Sequence, residues 1–572
     1  MIEIQHKIKG LIAEALNELG IEAPIIHLEH PDILAHGDYA SNVALIVSKS
    51  TGKSPQEIAS SIASWIDNHL IPEIIDVDVA GPGFLNFHLS RDFFASSIER
   101  VITEDNFGTK VADVKKRVLY EYTDPNPFKP FHIGHLMSNA IGETLSRLEA
   151  NIGNEVIRAN YQGDVGLHVA KAIYGILNSG DNWKSKMDGD VSSVALWIGQ
   201  CYAEGARLYE EDEDAKNKIN QINKSVYARD NDEINSIYDI GRKRTLEAFE
   251  IIYKKLGTKF DYYFFESEMA EKGLAIVKAN TPNVFSESEG AIVFDASKHD
   301  STLHTRVFIT SQGLPAYEAK EIGLVMTKFQ SINPDQSITV TASEQKDYMR
   351  VVTSAIREID PEIAERMHHV THGMLRFASG KMSSRKGNVI TGESLISSVE
   401  EMVLEKIKDR DLEEVEKKQI AEKVAIGAIK YSILRQSPGK DIIFDKDKAL
   451  SFEGDSGPYL QYAYVRTLSL LEKARAKGVS SSIFGSPEEV TDLERMIYRF
   501  EEVTMRASLE KAPQLLVEFL TSLSGAFNKF YAEGIIVSDE PDSVYKVALT
   551  EAFSRVMEKG LQLLAIPVVS RM

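Results

Sequence analysis

From Ile4 to Leu19 apolar residues recur every three to four positions, placing Ile4, Ile8, Leu11, Ile12, Ala15, Leu16 and Leu19 on one stripe, and Gly20 ends the run. That spacing predicts an amphipathic helix with a glycine stop. The period then shortens: Ile74–Val79 and Phe84–Leu89 read as strands, and Gly81-Pro82-Gly83 supplies the turn between them. Residues 1–110 are therefore expected to form a small α+β domain.

The next pattern is a strand-loop-helix-strand unit. Val118–Tyr122 reads as a buried strand, Asp124–Pro130 contains three prolines, a helical period runs from Ile133 to Ala150, and Glu155–Tyr161 is again strand-like. Such a βαβ unit seeds a Rossmann-like, doubly wound parallel sheet, whose ligands sit at the carboxyl ends of its strands. Residues 170–285 are mainly helical and polar, and read as an insertion. Strand patterns return at Ala291–Phe294, Arg306–Thr310 and Ser337–Ala342 and are expected to form the second half of the sheet. The central domain is thus placed at 111–395, followed by a connecting helical region at 396–440 and an all-α bundle at 441–572, with a loop at Gly478–Pro487. The expected fold class is multidomain α/β, with the parallel sheet between an α+β domain and a helical one.

Composition narrows the setting. At 572 residues the chain exceeds one core, and its 43% hydrophobic and 26% charged content is that of an ordinary soluble protein. No apolar run approaches the roughly 20 residues of a membrane helix, and the start Met1-Ile2-Glu3-Ile4 carries no secretory pattern. Cys201 is the only cysteine, which excludes an internal disulfide and a multi-cysteine zinc site and fits a cytoplasmic location. A net charge of −20 argues against non-specific coating of nucleic acid. Local basic pieces remain, at Lys115–Arg117, Arg242–Arg244 and Arg385-Lys386, and can still dock one structured RNA. The acidic run Glu210–Asp214 reads as a solvated surface.

Two motifs carry candidate chemistry. His132-Ile133-Gly134-His135 opens the first helix of the βαβ unit. Free N–H groups and the positive dipole end favour phosphate there. Gly134 allows close approach, and two histidines can donate to a phosphate that gains charge. Downstream, Lys381-Met382-Ser383-Ser384-Arg385-Lys386 lies between Gly380 and Gly387, a cationic loop able to reach a triphosphate. Either motif alone is also a polar helix cap or an exposed basic loop; their order on two half-sheets makes the chemical reading the stronger one.

With these flanks the chain resembles the arginyl-tRNA synthetases, a family of class I aminoacyl-tRNA synthetases. The resemblance is carried by Glu121–Pro130, Tyr161–Gly166, His36–Ala40, Gly457–Ala463 and the ending Arg571-Met572, and so covers the whole chain. It implies an ATP-dependent ligase that activates L-arginine and transfers it to the terminal adenosine of tRNA(Arg). It further implies an arginine site at Glu121, Asn126, Tyr317 and Gln345, with Glu321 where the family usually has aspartate. ATP would meet His132, Gly134, His135, Met374 and Lys381, with Arg385 or Lys386 as the second phosphate cation. The resemblance assigns the N-terminal domain to the elbow of tRNA and the C-terminal bundle to the anticodon. Its tRNA-binding candidates are Tyr39, Tyr462, Tyr531 and Met572, with Tyr459 and Tyr464 as further aromatic candidates. Two carboxylates in one pocket suit a guanidinium and exclude neutral amino acids. Mg2+ is expected only as the ion accompanying ATP, with no tightly bound cofactor and no metal site; His368, His369 and His372 lack a carboxylate in register. The expected protein is a monomer with no membrane partner. The alternatives are a lysyl or cysteinyl class I enzyme and a non-catalytic tRNA-binding paralogue.

Overall fold

The computed structural model describes residues 2–31, 33–109, 114–180, 182–377 and 391–572. Its centre is a five-stranded parallel sheet in the spatial order Met367–His372, Gln336–Ala342, Arg117–Glu121, Glu155–Gln162, Tyr262–Phe265. From Arg117–Glu121 the chain adds strands outward on one side, then crosses back to Gln336–Ala342 on the other. This is a doubly wound sheet, and its switch point lies between those two strands. Val118, Leu119, Tyr120, Ile338 and Val340 are all fully buried, as a sheet covered on both faces requires. The helix Ile133–Asn151 lies so close to it that a Cβ on Gly142 would sit 2.2 Å from the Tyr122 ring.

Two expected strands belong elsewhere. Ala291–Phe294 and Arg306–Ile309 join Ser286–Ser288 in a separate antiparallel sheet. One face of it is apolar, with Phe294 and Phe308 packed on Phe285, while Val307 on the other face is 41% exposed. Alternation identified them as strands without saying which sheet they join. Their places in the parallel sheet are taken by Met367–His372, whose three histidines hid it, and by Tyr262–Phe265. The latter is a four-residue edge strand inside the stretch read as a helical insertion. The rest of that stretch is helical as expected and has its own core around Ile173, Ile198, Ile219 and Ile237.

The N-terminal domain is α+β. Tyr39–Ser41, Phe84–Leu89 and Ile74–Ala80 form an antiparallel sheet, and the helix Ile2–Glu18 buries Ile4, Ile8, Leu11, Ile12, Ala15 and Leu16. Beyond Gly392 the chain is helical apart from Ile442–Phe444, which pairs in parallel with Leu375–Phe377 and ties the bundle to the central domain. Among the described residues no helix is long and apolar enough to cross a membrane.

Candidate active site

At the switch point the strand ends open into a cleft of about 340 Å3. Its floor is Glu121, the last residue of its strand, beside Thr339–Ala342. The loop after Glu121 takes an unusual path: Thr123, Asp124 and Phe128 all have positive φ. Such strain persists only where neighbours over-determine it. Thr123 N donates to Ser138 Oγ (2.9 Å), Asn139 donates to Thr123 Oγ1 (3.0 Å), and Tyr161 N donates to Asp124 Oδ1 (2.8 Å). The proline-bounded loop is rigid because both flanking elements hold it.

Four carboxylates face this cleft: Glu121, Asp124, Glu266 and Glu321. Two lysines oppose them, Lys328 Nζ at 3.1 Å from Glu121 and Lys320 Nζ at 2.8 Å from Glu266, and both pairs are buried. Four acids against two ammonium groups leave an excess of negative charge, which the two unpaired acids express. Burial and the Glu121 charge raise Glu321 to about 7, and its Oε1 has no hydrogen-bond partner. The same two causes, burial first, push Asp124 well above the usual carboxylate range. A pocket that raises the pKa of its acids is one that a cation would suit. Gly163 allows the crowding, since a Cβ there would lie 2.3 Å from Asn126 Oδ1 and 3.1 Å from Glu266 Oε2. Tyr317 and Gln345 complete the rim, so the structure brings all five expected arginine-site residues to one cleft.

His132, Gly134 and His135 line the same cleft. The two rings stack with centroids 3.4 Å apart. His132 N donates to His135 Nδ1 (3.2 Å) and His135 N to His132 Nδ1 (3.4 Å). Burial and the Lys129 charge lower His132 to about 4; burial, His132 and Lys129 lower His135 well below its ordinary value. Both rings are therefore neutral at pH 7. With Nδ1 accepting, the proton sits on Nε2 in each, giving two N–H donors beside a helix N-terminus. Gly134 has a second role beyond ligand approach: a Cβ would lie 2.9 Å from His132 Cε1.

The other expected residues divide. Lys381, Arg385 and Lys386 lie outside the described residues. Met374 is outside the cleft lining; its N–H donates to Asp441 Oδ1 (2.9 Å) and its carbonyl accepts from Ile442 N (2.8 Å). Tyr462 and Met572 line a second cavity of about 380 Å3 with Arg466, and the Arg466 guanidinium lies between the Tyr462 and Tyr531 rings at 4.9 and 4.8 Å. Tyr39 does not fit the expectation of RNA contact. It is fully buried, and its hydroxyl is bonded to Glu502. Of the further aromatics, Tyr464 is buried and Tyr459 packs on the core. His369 bonds Thr341 Oγ1 (2.7 Å) and His372 bonds the Gly373 carbonyl (2.8 Å). Among the described residues the one group spaced to hold a metal, Asp76, Asp78 and His88, lies on the N-terminal sheet, away from the cleft.

Sequence reasoning missed Asp124, Glu266, Lys320 and Lys328 as site residues. A signal existed for one pair. Glu321 and Lys328 are seven apart in a helix, Tyr317–Ser331, whose neighbours Ile322, Leu324, Val325 and Phe329 are buried, so two charges share an apolar face.

Comparison with known proteins follows this division. Residues 97–446 match the family described as tRNA synthetases class I (R), catalytic domain; residues 6–89 match the arginyl tRNA synthetase N terminal domain; and residues 460–572 match the DALR anticodon binding domain. The chain is 30% identical to an arginine–tRNA ligase of Treponema denticola and 30% identical to one of Halothermothrix orenii, each alignment covering 100% of both chains. Among solved structures it is similar to the arginyl-tRNA synthetase of Thermus thermophilus, with a TM-score of 0.80 and 25% identity over 99% of this chain and 100% of that one.

Proposed function

The chain belongs to the arginyl-tRNA synthetases of class I, and from that premise we propose that the cleft at the switch point is where arginine and ATP react. The protein is an arginine–tRNA ligase. The observation that carries the site assignment is the cluster of four cleft carboxylates, Glu121, Glu266 and Glu321 buried and Asp124 partly so, set against two lysines beside two neutral histidines.

Arginine presents a planar fork of donors, which Glu121 and Glu321 accept, with Asn126, Tyr317 and Gln345 around the rest of the molecule. Its carboxylate attacks the α-phosphate of ATP in line, so that an O–P bond forms and pyrophosphate leaves with the electron pair. No side chain need act as nucleophile; positioning and charge stabilisation carry the rate. The Nε2–H groups of His132 and His135 donate to the phosphates, and the helix N-terminus adds its dipole. Lys381, with Arg385 or Lys386, neutralises the departing pyrophosphate, Met374 places its backbone against adenine, and Mg2+ enters with ATP as its counter-ion. In the second step the terminal adenosine of tRNA attacks the adenylate carbonyl and releases AMP. The second cavity, lined by Tyr462 and Met572, with Tyr531 on the far side of Arg466, receives unpaired anticodon bases, which the tyrosine rings can stack on, and the N-terminal domain faces the tRNA elbow. The enzyme works as a cytoplasmic monomer.

ATP–pyrophosphate exchange with each amino acid, with and without tRNA, tests the reading. Exchange with arginine is expected. Exchange with lysine and not arginine would sink it.

A further inference from the structure

Within His36-Gly37-Asp38-Tyr39-Ala40, the side chains of Asp38 and Tyr39 are committed to the protein. Gly37 has φ +80, and a Cβ there would meet the Phe87 carbonyl oxygen at 2.6 Å, so the turn admits only glycine. It delivers Asp38 and Tyr39 into the seam between the N-terminal domain and the C-terminal bundle. Asp38 Oδ2 accepts from Leu89 N (2.9 Å) within its own domain, while Oδ1 accepts from Arg495 of the bundle. The Tyr39 hydroxyl donates to Glu502, whose other oxygen lies 2.8 Å from His30 Nε2. The Tyr39 ring packs against His30 and Tyr498. Two further ions cross the seam: Arg91 to Glu494 at 2.5 Å and Arg100 to Glu501 at 3.3 Å.

This network does not end at the seam. Arg495 and Glu502 stand on the helices Asp492–Ile497 and Phe500–Leu509, and Tyr545 of the helix Ser543–Leu563 bonds both Arg91 and Glu494. The same helix is held to Gly457–Ala476 by Thr467 Oγ1 on Ser554 Oγ (2.8 Å), and Gly457–Ala476 carries Tyr462 and Arg466 of the second cavity. Side-chain bonds and the helices that carry them thus connect the N-terminal sheet to the cavity.

We propose that Asp38, Tyr39, Arg495 and Glu502 are positioning residues that lock the N-terminal domain onto the bundle, so that the two tRNA-facing surfaces meet their ligand as one body. The proposal rests on the reading that both surfaces bind tRNA. Fixing the distance between two half-sites before binding spares the complex the entropy of ordering them. Burial suits this role: Asp38 and Tyr39 are buried, and losing Arg495 or Glu502 strands a buried polar group.

The test is steady-state aminoacylation by Tyr39→Phe and Asp38→Asn. Tyr39→Phe keeps the ring packing and removes only the bond to Glu502, so it is the variant sure to fold. The expected result is a KM for tRNA raised about tenfold, with kcat at saturating tRNA and the KM values for arginine and ATP unchanged. An isolated anticodon stem-loop, used as a competitive inhibitor, should bind wild type and variant equally, because it touches one surface only. An unchanged KM for tRNA in both folded variants overturns the proposal, as does an equal loss of stem-loop affinity, which would mean direct RNA contact. Failure of the wild type to charge tRNA with arginine would remove the reading beneath it and the proposal with it.

Discussion

Glu321 offers the sharpest test of the pocket, because its charge state reports on what fills it. Its carboxyl is raised from an ordinary 4.5 to about 7, first by burial and then by Glu121. That gap corresponds to roughly 3 kcal/mol at about 1.36 kcal/mol per pH unit. Between pH 4.5 and 7 the folded chain keeps a proton that the unfolded chain has released. The contribution to stability is therefore complete below pH 4.5 and is lost as pH rises to about 7. A guanidinium against Glu321 reverses the balance, since an opposite charge lowers the pKa and binding expels the proton. At pH 6.5 most unliganded clefts carry that proton, so arginine binding should release a large part of one proton from Glu321 there and little of one at pH 8. Titration calorimetry at pH 6.5 in buffers of different ionisation enthalpy measures the number directly. Glu321→Gln should bring the release from this group to zero and weaken arginine binding. A wild type that releases no proton, or a variant that still releases the full amount, would refute the placement of the guanidinium at Glu321.

Three further outcomes follow from the same geometry. Glu121→Gln leaves Lys328 buried without its acid, and kcat/KM for arginine should fall by about 100-fold or more while tRNA affinity in filter binding stays near wild type. Gly134→Ala drives a methyl group to 2.9 Å from the His132 ring; pyrophosphate exchange should drop by about tenfold or more, and unchanged exchange would show that the ring is free to move. Arg466→Ala removes the guanidinium between Tyr462 and Tyr531, a loss of about 1 kcal/mol of cation–π contact; the KM for tRNA should rise and that for arginine should not.

What the sequence made legible, and what it hid, separates along the range of the interactions. The stripe of Ile2–Glu18, the hairpin turn at Gly81–Gly83 and the unit from Arg117 to Gln162 are set by residues a few positions apart, and they fold as their periods predict. Sheet membership is not local. Ala291–Phe294 has a strand's alternation, yet its partners are chosen by Phe285 and Phe308, and Met367–His372 enters the parallel sheet with hardly an apolar residue because Ser337–Ala342 offers it a free edge. The motif residues were legible as a resemblance, and the fold draws Glu121, Asn126, Tyr317, Glu321 and Gln345 from widely separated positions to one cleft. Their counter-charges were not legible, since nothing in the spacing of Lys328 names Glu121 as its partner, 207 residues away. Tyr39 shows the reverse error. A motif residue was read as a ligand contact because its neighbours match a family pattern, whereas its hydroxyl is spent on Glu502, 463 residues later. A pattern that serves a domain seam and one that serves a ligand look the same in one dimension, and whether the buried polar atoms already have partners tells them apart. The same criterion strengthens the cleft: Glu121 and Glu321 are as buried as Tyr39's seam, yet Glu321 lines a cavity and its buried Oε1 atom has no partner, which is the state a seam residue avoids and a ligand site requires.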